Sequence, residues 1–109
     1  MRVAPNIAPY HISYLISHNS YLPPKEENTI HLFIINPAAG SRDRTKYYKE
    51  KIRTICRAKG ADYRIEVSAA PGDCTRITRE AAESGKEYHI YACGGDGTLS
   101  EVVTGAVGH

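Results

Sequence analysis

Residues 88–101 read Tyr-His-Ile-Tyr-Ala-Cys-Gly-Gly-Asp-Gly-Thr-Leu-Ser-Glu. The apolar run over 88–93 predicts a strand, three glycines in four positions end it, and a helix is predicted from Thr98. Glycines allow close approach of the backbone to a ligand and positive φ angles, and a helix N-terminus attracts anions. We therefore predict that residues 94–98, called the glycine turn below, bind phosphate.

Asp96 is the unusual member of the glycine turn. A carboxylate repels phosphate unless a cation lies between them, so Asp96 predicts Mg²⁺ carried with a nucleotide. A structural interpretation competes with this one, because Thr98 and Glu101 have the spacing of a capping box. The chain has no Walker A loop, and Ser100 stands where a dinucleotide fingerprint needs Gly or Ala.

The glycine turn is the third of three similar junctions. A strand over 30–35 ends at Asn36-Pro37, and a strand over 63–67 ends at the turn 68–72. Helices are predicted over 43–59, ending at Gly60, and over 74–84, capped by Asp73 and ending at Gly85. We predict an α/β fold, in which a parallel sheet has helices on both faces in three layers.

In such a fold the carboxyl ends of all strands lie at one edge of the sheet, where ligands bind. This edge would bring together residues 36–40, called the Asn36 turn, residues 68–72, called the second turn, and the glycine turn. Small residues in the Asn36 turn leave room for a nucleotide, and the Asn36 amide can bond a ribose or phosphate. A simple strand-ending turn explains the same residues.

Residues 1–29 differ from the rest of the chain. They hold four of the six prolines, and the alternation over 10–16 is only a weak strand signal. We interpret 1–29 as an N-terminal extension of undetermined order, and residues 30–109 as the folded part.

Composition limits the class of protein. The chain has 109 residues, of which 41% are hydrophobic and 24% charged, as in an ordinary globular domain. No apolar run is long enough for a membrane-spanning helix. The three cysteines cannot all pair within the chain and none lies in a CxxC motif, which favours a reducing cytoplasm.

The positive charge is concentrated in one segment. Residues 42–59 contain eight Lys or Arg and two Asp or Glu, for a net charge of +6, while the rest sums to −4. Lys46, Lys49, Arg53 and Arg57, called the basic stripe, share one face of the predicted helix. Such a stripe can meet phosphate, anionic lipid or nucleic acid, or be a solvated face. No aromatic residue interleaves it, which disfavours nucleic acid.

Together, Asn-Pro-x-x-Gly at 36–40, Gly72-Asp73 and Gly-Gly-Asp-Gly-Thr at 94–98 resemble the diacylglycerol kinase catalytic-domain family, which includes bacterial lipid kinases and sphingosine and ceramide kinases. The resemblance covers about residues 30–109. The glycine turn alone is shared with NAD kinases. Glu101, Val102 and Gly105 match the family's continuation, whereas Ser100 and Thr104 replace two asparagines.

The resemblance implies a lipid kinase that transfers the γ-phosphoryl group of ATP to a lipid hydroxyl such as that of diacylglycerol, with Mg²⁺. Asp96 would lie near the metal, and the basic stripe would contact a membrane, so the enzyme would be cytoplasmic or peripheral to the membrane. The implied ATP-binding residues are Asn36, Pro37, Ala38, Ala39, Gly40, Ser68, Gly95, Asp96, Gly97, Thr98, Leu99, Ser100 and Glu101.

Members of that family continue into further strands and a second domain, which supplies the general base and the other wall of the cleft. We therefore expect residues 30–109 to be a truncated ATP-binding domain without kinase activity of its own. Two alternatives stay open. One is an NAD kinase-like enzyme, and the other is a non-catalytic chain that binds nucleotide or self-associates into a homo-oligomer through an exposed sheet edge.

Overall fold

The computed structural model describes residues 2–3, 11–15, 29–38, 40 and 42–107. From residue 30 onward, strands and helices alternate along the chain. The elements in chain order are β1 (Arg2–Val3), β2 (His11–Leu15), β3 (Ile30–Ile35), α1 (Thr45–Lys59), β4 (Tyr63–Val67), α2 (Asp73–Glu83), β5 (Tyr88–Cys93) and α3 (Asp96–Ala106).

The strands form one sheet in the order β1-β2-β5-β3-β4. β3 lies between β4 and β5 and is parallel to both, in a register that pairs Ile35 with Val67 and with Cys93. The carboxyl ends of these three strands therefore lie at one edge, as the sequence predicts. The α/β fold with a parallel sheet is confirmed.

Helices cover both faces of the sheet because successive side chains of a strand point to opposite sides. Leu32 and Ile34 of β3 pack with Ile90 against helices α2 and α3. Phe33 and Ile35 pack on the other side against α1, which contributes residues at the predicted spacing of four, namely Tyr48, Ile52 and Cys56. Both layers are largely inaccessible to solvent.

Helix α3 lies unusually close to α2. A Cβ placed on Gly105 would overlap the carbonyl oxygen of Thr75 and would stand 2.8 Å from the Cβ of Thr78. Only a residue without a side chain allows this approach. In the part of the chain that the structure describes, no helix is long and apolar enough to cross a membrane.

The predicted helix starts are wrong by one or two residues. α1 begins at Thr45 instead of residue 43, since the Asp43 carboxylate accepts a hydrogen bond from the Thr45 backbone at 2.8 Å. α2 begins at Asp73, after Gly72 with a φ of 90°. Asp73 does not cap α2, because its carboxylate accepts a hydrogen bond from the Ala69 N–H at 2.7 Å and so closes the second turn.

Part of the predicted N-terminal extension belongs to the sheet. β2 pairs in parallel with β5, from His11 opposite His89 to Leu15 opposite Cys93, and β1 pairs antiparallel with β2. The weak alternation over 10–16 therefore marks a strand at 11–15. The remaining residues of the predicted extension, except residue 29, lie outside the described residues.

Candidate functional site

The three turns begin at neighbouring points of the sheet edge. The Asn36 N–H donates to the carbonyl of Cys93 at 3.2 Å, and the Ser68 N–H donates to the carbonyl of Ile35 at 2.9 Å. The backbone hydrogen bonds between neighbouring strands thus continue one residue beyond the ends of β3 and β4. This fixes the start of the Asn36 turn relative to both neighbouring turns.

The Asn36 side chain joins all three turns. Its amide nitrogen donates to Thr98 Oγ1, in the glycine turn, at 3.2 Å. Its amide oxygen accepts from the Ala38 N–H at 3.1 Å and from Ser68 Oγ at 3.4 Å. Both ends of the amide therefore bond protein groups, and the side chain holds the turns together.

Thr98 has a different place from the one that the capping box predicts. α3 begins at Asp96 with Gly95 as its N-cap, so Thr98 lies within the first turn of the helix. Its side chain is 1% exposed, and its hydroxyl accepts the bond from Asn36. The capping-box interpretation is therefore wrong for Thr98, since this hydroxyl connects α3 to the Asn36 turn.

A pocket of about 290 Å³ lies between the Asn36 turn, the second turn and the helices α2 and α3. That volume is at the lower end of the range for ligand pockets, about 300–1,000 Å³, and suits one part of a nucleotide. Apolar side chains form most of its wall. The lining residues are Asn36, Pro37, Ala38, Ser68, Ala69, Ala70, Pro71, Cys74 and Glu101.

Glu101 places a carboxylate at this pocket from α3. Its Oε1 atom is buried and has no hydrogen-bond partner among the described residues. Its backbone carbonyl accepts from Thr75 Oγ1 at 2.9 Å, which ties this part of α3 to α2. A buried carboxylate oxygen without a partner loses solvation that a ligand N–H or O–H would restore.

The glycine turn is open on its outer side. A Cβ placed on Gly95 or on Gly97 would meet no atom of the described residues within 4 Å, so packing among these residues does not require glycine there. The expected positive φ angles are not found in this turn, since the described glycines with positive φ are Gly40, Gly60, Gly72 and Gly85. Gly95 has a φ of −102°.

Asp96 is exposed at the first position of α3, beside these two glycines. A helix N-terminus presents unpaired N–H groups and the positive end of the helix dipole. Among the described residues, no group of three or more His, Cys, Asp or Glu side chains could hold a metal ion.

The cysteines near the site are buried. Burial raises the pKa of the Cys74 thiol, which the Ser68 hydroxyl partly offsets through a hydrogen bond. Burial also raises the pKa of Cys93, at the end of β5. Both thiols are therefore neutral near pH 7 and act as small apolar groups.

The structure brings together part of the predicted site. Five of the predicted residues line the pocket, namely Asn36, Pro37, Ala38, Ser68 and Glu101. Gly95, Asp96 and Gly97 form the start of α3, Thr98 lies buried behind them, and Ser100 is exposed. Leu99 packs against the core beneath α2 and α3. Gly40 ends the Asn36 turn with a φ of 83°, and Ala39 lies outside the described residues.

Sequence reasoning missed four lining residues, Ala69, Ala70, Pro71 and Cys74. The second turn could have indicated Ala69, Ala70 and Pro71, because the predicted topology places it at the same sheet edge as the Asn36 turn and the glycine turn. Its small side chains, like those of the Asn36 turn, leave the space that becomes the pocket.

Residues 31–109 match the family model of the diacylglycerol kinase catalytic domain. This segment begins in β3 and includes all three turns, the pocket and the three helices. No curated protein matches the chain.

Proposed function

Because this chain belongs to the diacylglycerol kinase catalytic domain family, we propose that it forms the ATP-binding part of a lipid kinase. Such an enzyme transfers the γ-phosphoryl group of ATP to a lipid hydroxyl, such as that of diacylglycerol. The observation that carries the proposal is the link from Asn36 to Thr98 and Ser68, which joins the three turns next to a pocket that the Asn36 turn and the second turn line.

The pocket is proposed to take the nucleoside part of ATP. Its walls at Ala69, Ala70 and Pro71 are small and apolar, as the face of a base requires. The buried Oε1 of Glu101 can accept a hydrogen bond from an N–H or O–H of the nucleoside. The apolar wall belongs to the second turn and Glu101 belongs to α3, so a nucleoside in the pocket would contact both elements.

The phosphates are proposed to lie over the glycine turn. Gly95 and Gly97 leave their outer sides open, so phosphate oxygens can approach the backbone N–H groups at the start of α3. An alanine at either position would occupy this space with a methyl group. No described residue fills the space beside Gly95 and Gly97. A bound phosphate would explain why these two positions carry no side chain.

Mg²⁺ is proposed to arrive with ATP and to neutralise charge on the β- and γ-phosphates. Asp96 stands exposed at the start of α3 and can face such a cation. Its carboxylate would otherwise repel the phosphates. Asn36 is proposed as a positioning residue, because both ends of its amide already bond protein groups and set the distance between the Asn36 turn and α3.

Equilibrium binding of Mg²⁺-ATP to the 109-residue chain tests this proposal. We expect saturable binding by calorimetry and at least a tenfold loss for Glu101→Leu, which removes both acceptor oxygens and keeps a side chain of similar volume. Thr104→Ala is the matched control, because Thr104 is exposed on the same helix and its hydroxyl donates to the Ser100 carbonyl of that helix. Undetectable binding by the folded chain would overturn the proposal.

The acceptor is tested on the natural protein isolated from its source, at its natural length established by intact mass. Incubation with γ-labelled ATP and either diacylglycerol or NAD separates the lipid kinase from the NAD kinase-like alternative. We expect label in diacylglycerol. Label in NAD alone would refute the lipid kinase, and binding of ATP without transfer to either acceptor would favour a non-catalytic nucleotide-binding protein.

A further inference from the structure

Strand β4 is exposed along its whole length, unlike the central strands β3 and β5. None of its five residues is buried, whereas five of six residues are buried in β3 and in β5. β4 is the last strand of the sheet, and in the part of the chain that the structure describes no strand pairs with its outer side. This outer side of residues 63–67 is called the β4 edge below.

The backbone of β4 presents a row of hydrogen-bonding groups at this edge. On the inner side, the carbonyl of Asp62 accepts a hydrogen bond from the His31 N–H of β3 at 2.9 Å. Because successive residues of a strand direct these groups to alternate sides, the even-numbered residues of β4 bond β3. The N–H and C=O groups of the odd-numbered residues, Tyr63, Ile65 and Val67, therefore point outward.

The side chains of β4 give this edge an apolar face and a charged face. Tyr63 and Ile65 pack against the core beneath α1 but stay partly exposed, and Val67 is 38% exposed. On the other face, the Arg64 guanidinium donates to the Glu66 carboxylate at 3.2 Å. Sheet edges are commonly protected from pairing by lysine, proline or a bulge. β4 contains neither lysine nor proline, and its two charges cancel.

The order of these charges is complementary to itself when the strand direction is reversed. If two copies of Tyr-Arg-Ile-Glu-Val pair antiparallel about Ile65, Arg64 of each copy lies opposite Glu66 of the other. Opposite charges in such cross-strand pairs attract, and like charges repel. Parallel pairing in register would place each charge opposite its own kind. The sequence of β4 therefore favours the antiparallel arrangement.

The backbone of β4 requires the same register. Pairing about Ile65 places the two Ile65 residues opposite each other and Tyr63 opposite Val67, and all of these direct their N–H and C=O groups outward. In an antiparallel sheet each such pair exchanges two hydrogen bonds. Arg64 and Glu66 then occupy the intervening pairs, in which side chains lie closer together. One register thus satisfies both the backbone groups and the charges.

We infer that the β4 edge binds a second copy of this chain, in an antiparallel pair centred on Ile65. The copies are related by a two-fold axis, as in most homodimers, and the two five-stranded sheets become one continuous sheet. Because the paired strands run in opposite directions, the two pockets lie at opposite ends of this sheet and both stay open. The contact does not depend on the proposed function.

Sedimentation equilibrium of the 109-residue chain tests the inference without nucleotide or lipid. We expect the mass to rise from 12.0 kDa toward twice that value between micromolar and millimolar concentration. A contact along one strand is at the small end of protein interfaces, so the dimer should be weak. A chain that stays monomeric up to millimolar concentration would overturn the inference.

Charge reversal distinguishes the β4 edge from other modes of self-association. Arg64→Glu and Glu66→Arg each place like charges in both cross-strand pairs, so each should weaken the dimer about tenfold or more. An equal mixture of the two variants should form a heterodimer, because every pair then joins opposite charges. Arg64→Glu/Glu66→Arg should regain most of the wild-type affinity. The inference fails if neither the mixture nor the double variant restores the dimer.

The matched control reverses charges in the exposed ion pair of α2. Arg76→Glu and Glu80→Arg change the net charge by the same amounts at positions outside β4. We expect both controls to dimerise like the wild type, and circular dichroism checks that all variants are folded. An equal loss of dimer in the controls would show that net charge, and not the β4 edge, governs the association.

Disulfide formation measures the register and does not depend on the charge variants. Ile65→Cys places two thiols on directly opposed residues, with Cα atoms about 5.5 Å apart, which a disulfide can bridge. Val67→Cys is the control, since its two copies would stand roughly 14 Å apart along the paired strands. The three native cysteines are buried. We expect air oxidation to give a covalent dimer of Ile65→Cys much faster than of Val67→Cys, and equal or reversed rates would refute the register.

Discussion

The two ends of helix α3 use glycine for opposite reasons. Gly105, near its C-terminal end, is buried, and a Cβ there would overlap Thr75 of α2. Gly97, at its N-terminal end, is exposed, and a Cβ there would meet nothing. The first glycine is required by packing within the chain. The second has no structural reason in the described chain, so its reason is sought in a ligand.

Gly105→Ala tests the packed end and has the largest expected effect on stability. The added methyl group forces α3 away from α2, and such overpacking costs about 3 kcal/mol of unfolding free energy. Urea denaturation followed by circular dichroism measures it. Thr104→Ala, at the exposed neighbouring position, is the matched control and should leave the midpoint nearly unchanged. An unchanged midpoint for Gly105→Ala would show that the two helices are not in close contact.

Asn36→Ala removes the link between the open end of α3 and the other turns. It leaves the hydroxyls of Thr98 and Ser68 without their amide partner, at an expected cost of about 2 kcal/mol of unfolding free energy. Thr98→Val removes one bond of the set and should cost about 1 kcal/mol.

Combining Asn36→Ala with Thr98→Val gives a double-mutant cycle. The costs should be less than additive, because both changes remove the same hydrogen bond. Strict additivity would show that the bond between these side chains contributes nothing to stability, and the turns would then be held by the backbone alone.

Gly97→Ala tests the open end and should separate stability from binding. In the first turn of a helix the change is expected to stabilise the fold by up to about 0.5 kcal/mol, since alanine loses less backbone entropy than glycine. The affinity for Mg²⁺-ATP should fall at least tenfold, because the methyl group occupies the proposed place of a phosphate. Calorimetry and urea denaturation on the same preparation measure both quantities.

A fall in stability without a change in ATP affinity would reverse this assignment. Gly97 would then be structural like Gly105, and the contrast between the two ends of α3 would disappear.

The smallest expected effect concerns the start of α2. The hydrogen bond from the Ala69 N–H lowers the pKa of the Asp73 carboxyl, with a contribution from Arg76. A carboxyl group with a lowered pKa stabilises the fold above its unfolded value of about 3.9 and loses this contribution as pH falls through its folded value. Asp73→Asn should therefore be less stable than the wild type at pH 7, with a gap that closes below about pH 4.

Urea denaturation of both proteins between pH 2 and 7 measures this gap. A gap that stays constant over the whole range would contradict the assignment, because it would come from packing and not from charge.

Local patterns predicted the elements on which the site stands. Alternation and apolar runs identified β3, β4 and β5, and a spacing of four identified the face of α1 that packs on Phe33 and Ile35. The topology rule then placed three turns at one edge. These features depend on neighbours within a few residues, which is why a single sequence reveals them.

Contacts over long distances along the chain were not predictable. The partner of Thr98 is Asn36, 62 residues away, and nothing near Thr98 distinguishes this role from a helix cap. The same holds for Gly105, whose need for glycine depends on α2. β2 gave only a weak local signal, and its place in the sheet depends on β5, which lies 78 residues further along the chain.

The place of β2 has a consequence for synthesis on the ribosome. β2 leaves the ribosome before its pairing partner β5, which is complete only at Cys93, 78 residues after Leu15. At about 5–20 residues per second, the nascent β2 waits roughly 4–16 s for that neighbour, whereas β3 can pair with β4 much sooner. During this interval its backbone groups are open to solvent, chaperones or other chains. The order of the strands thus delays the joining of β1 and β2 to the rest of the sheet until β5 has been made.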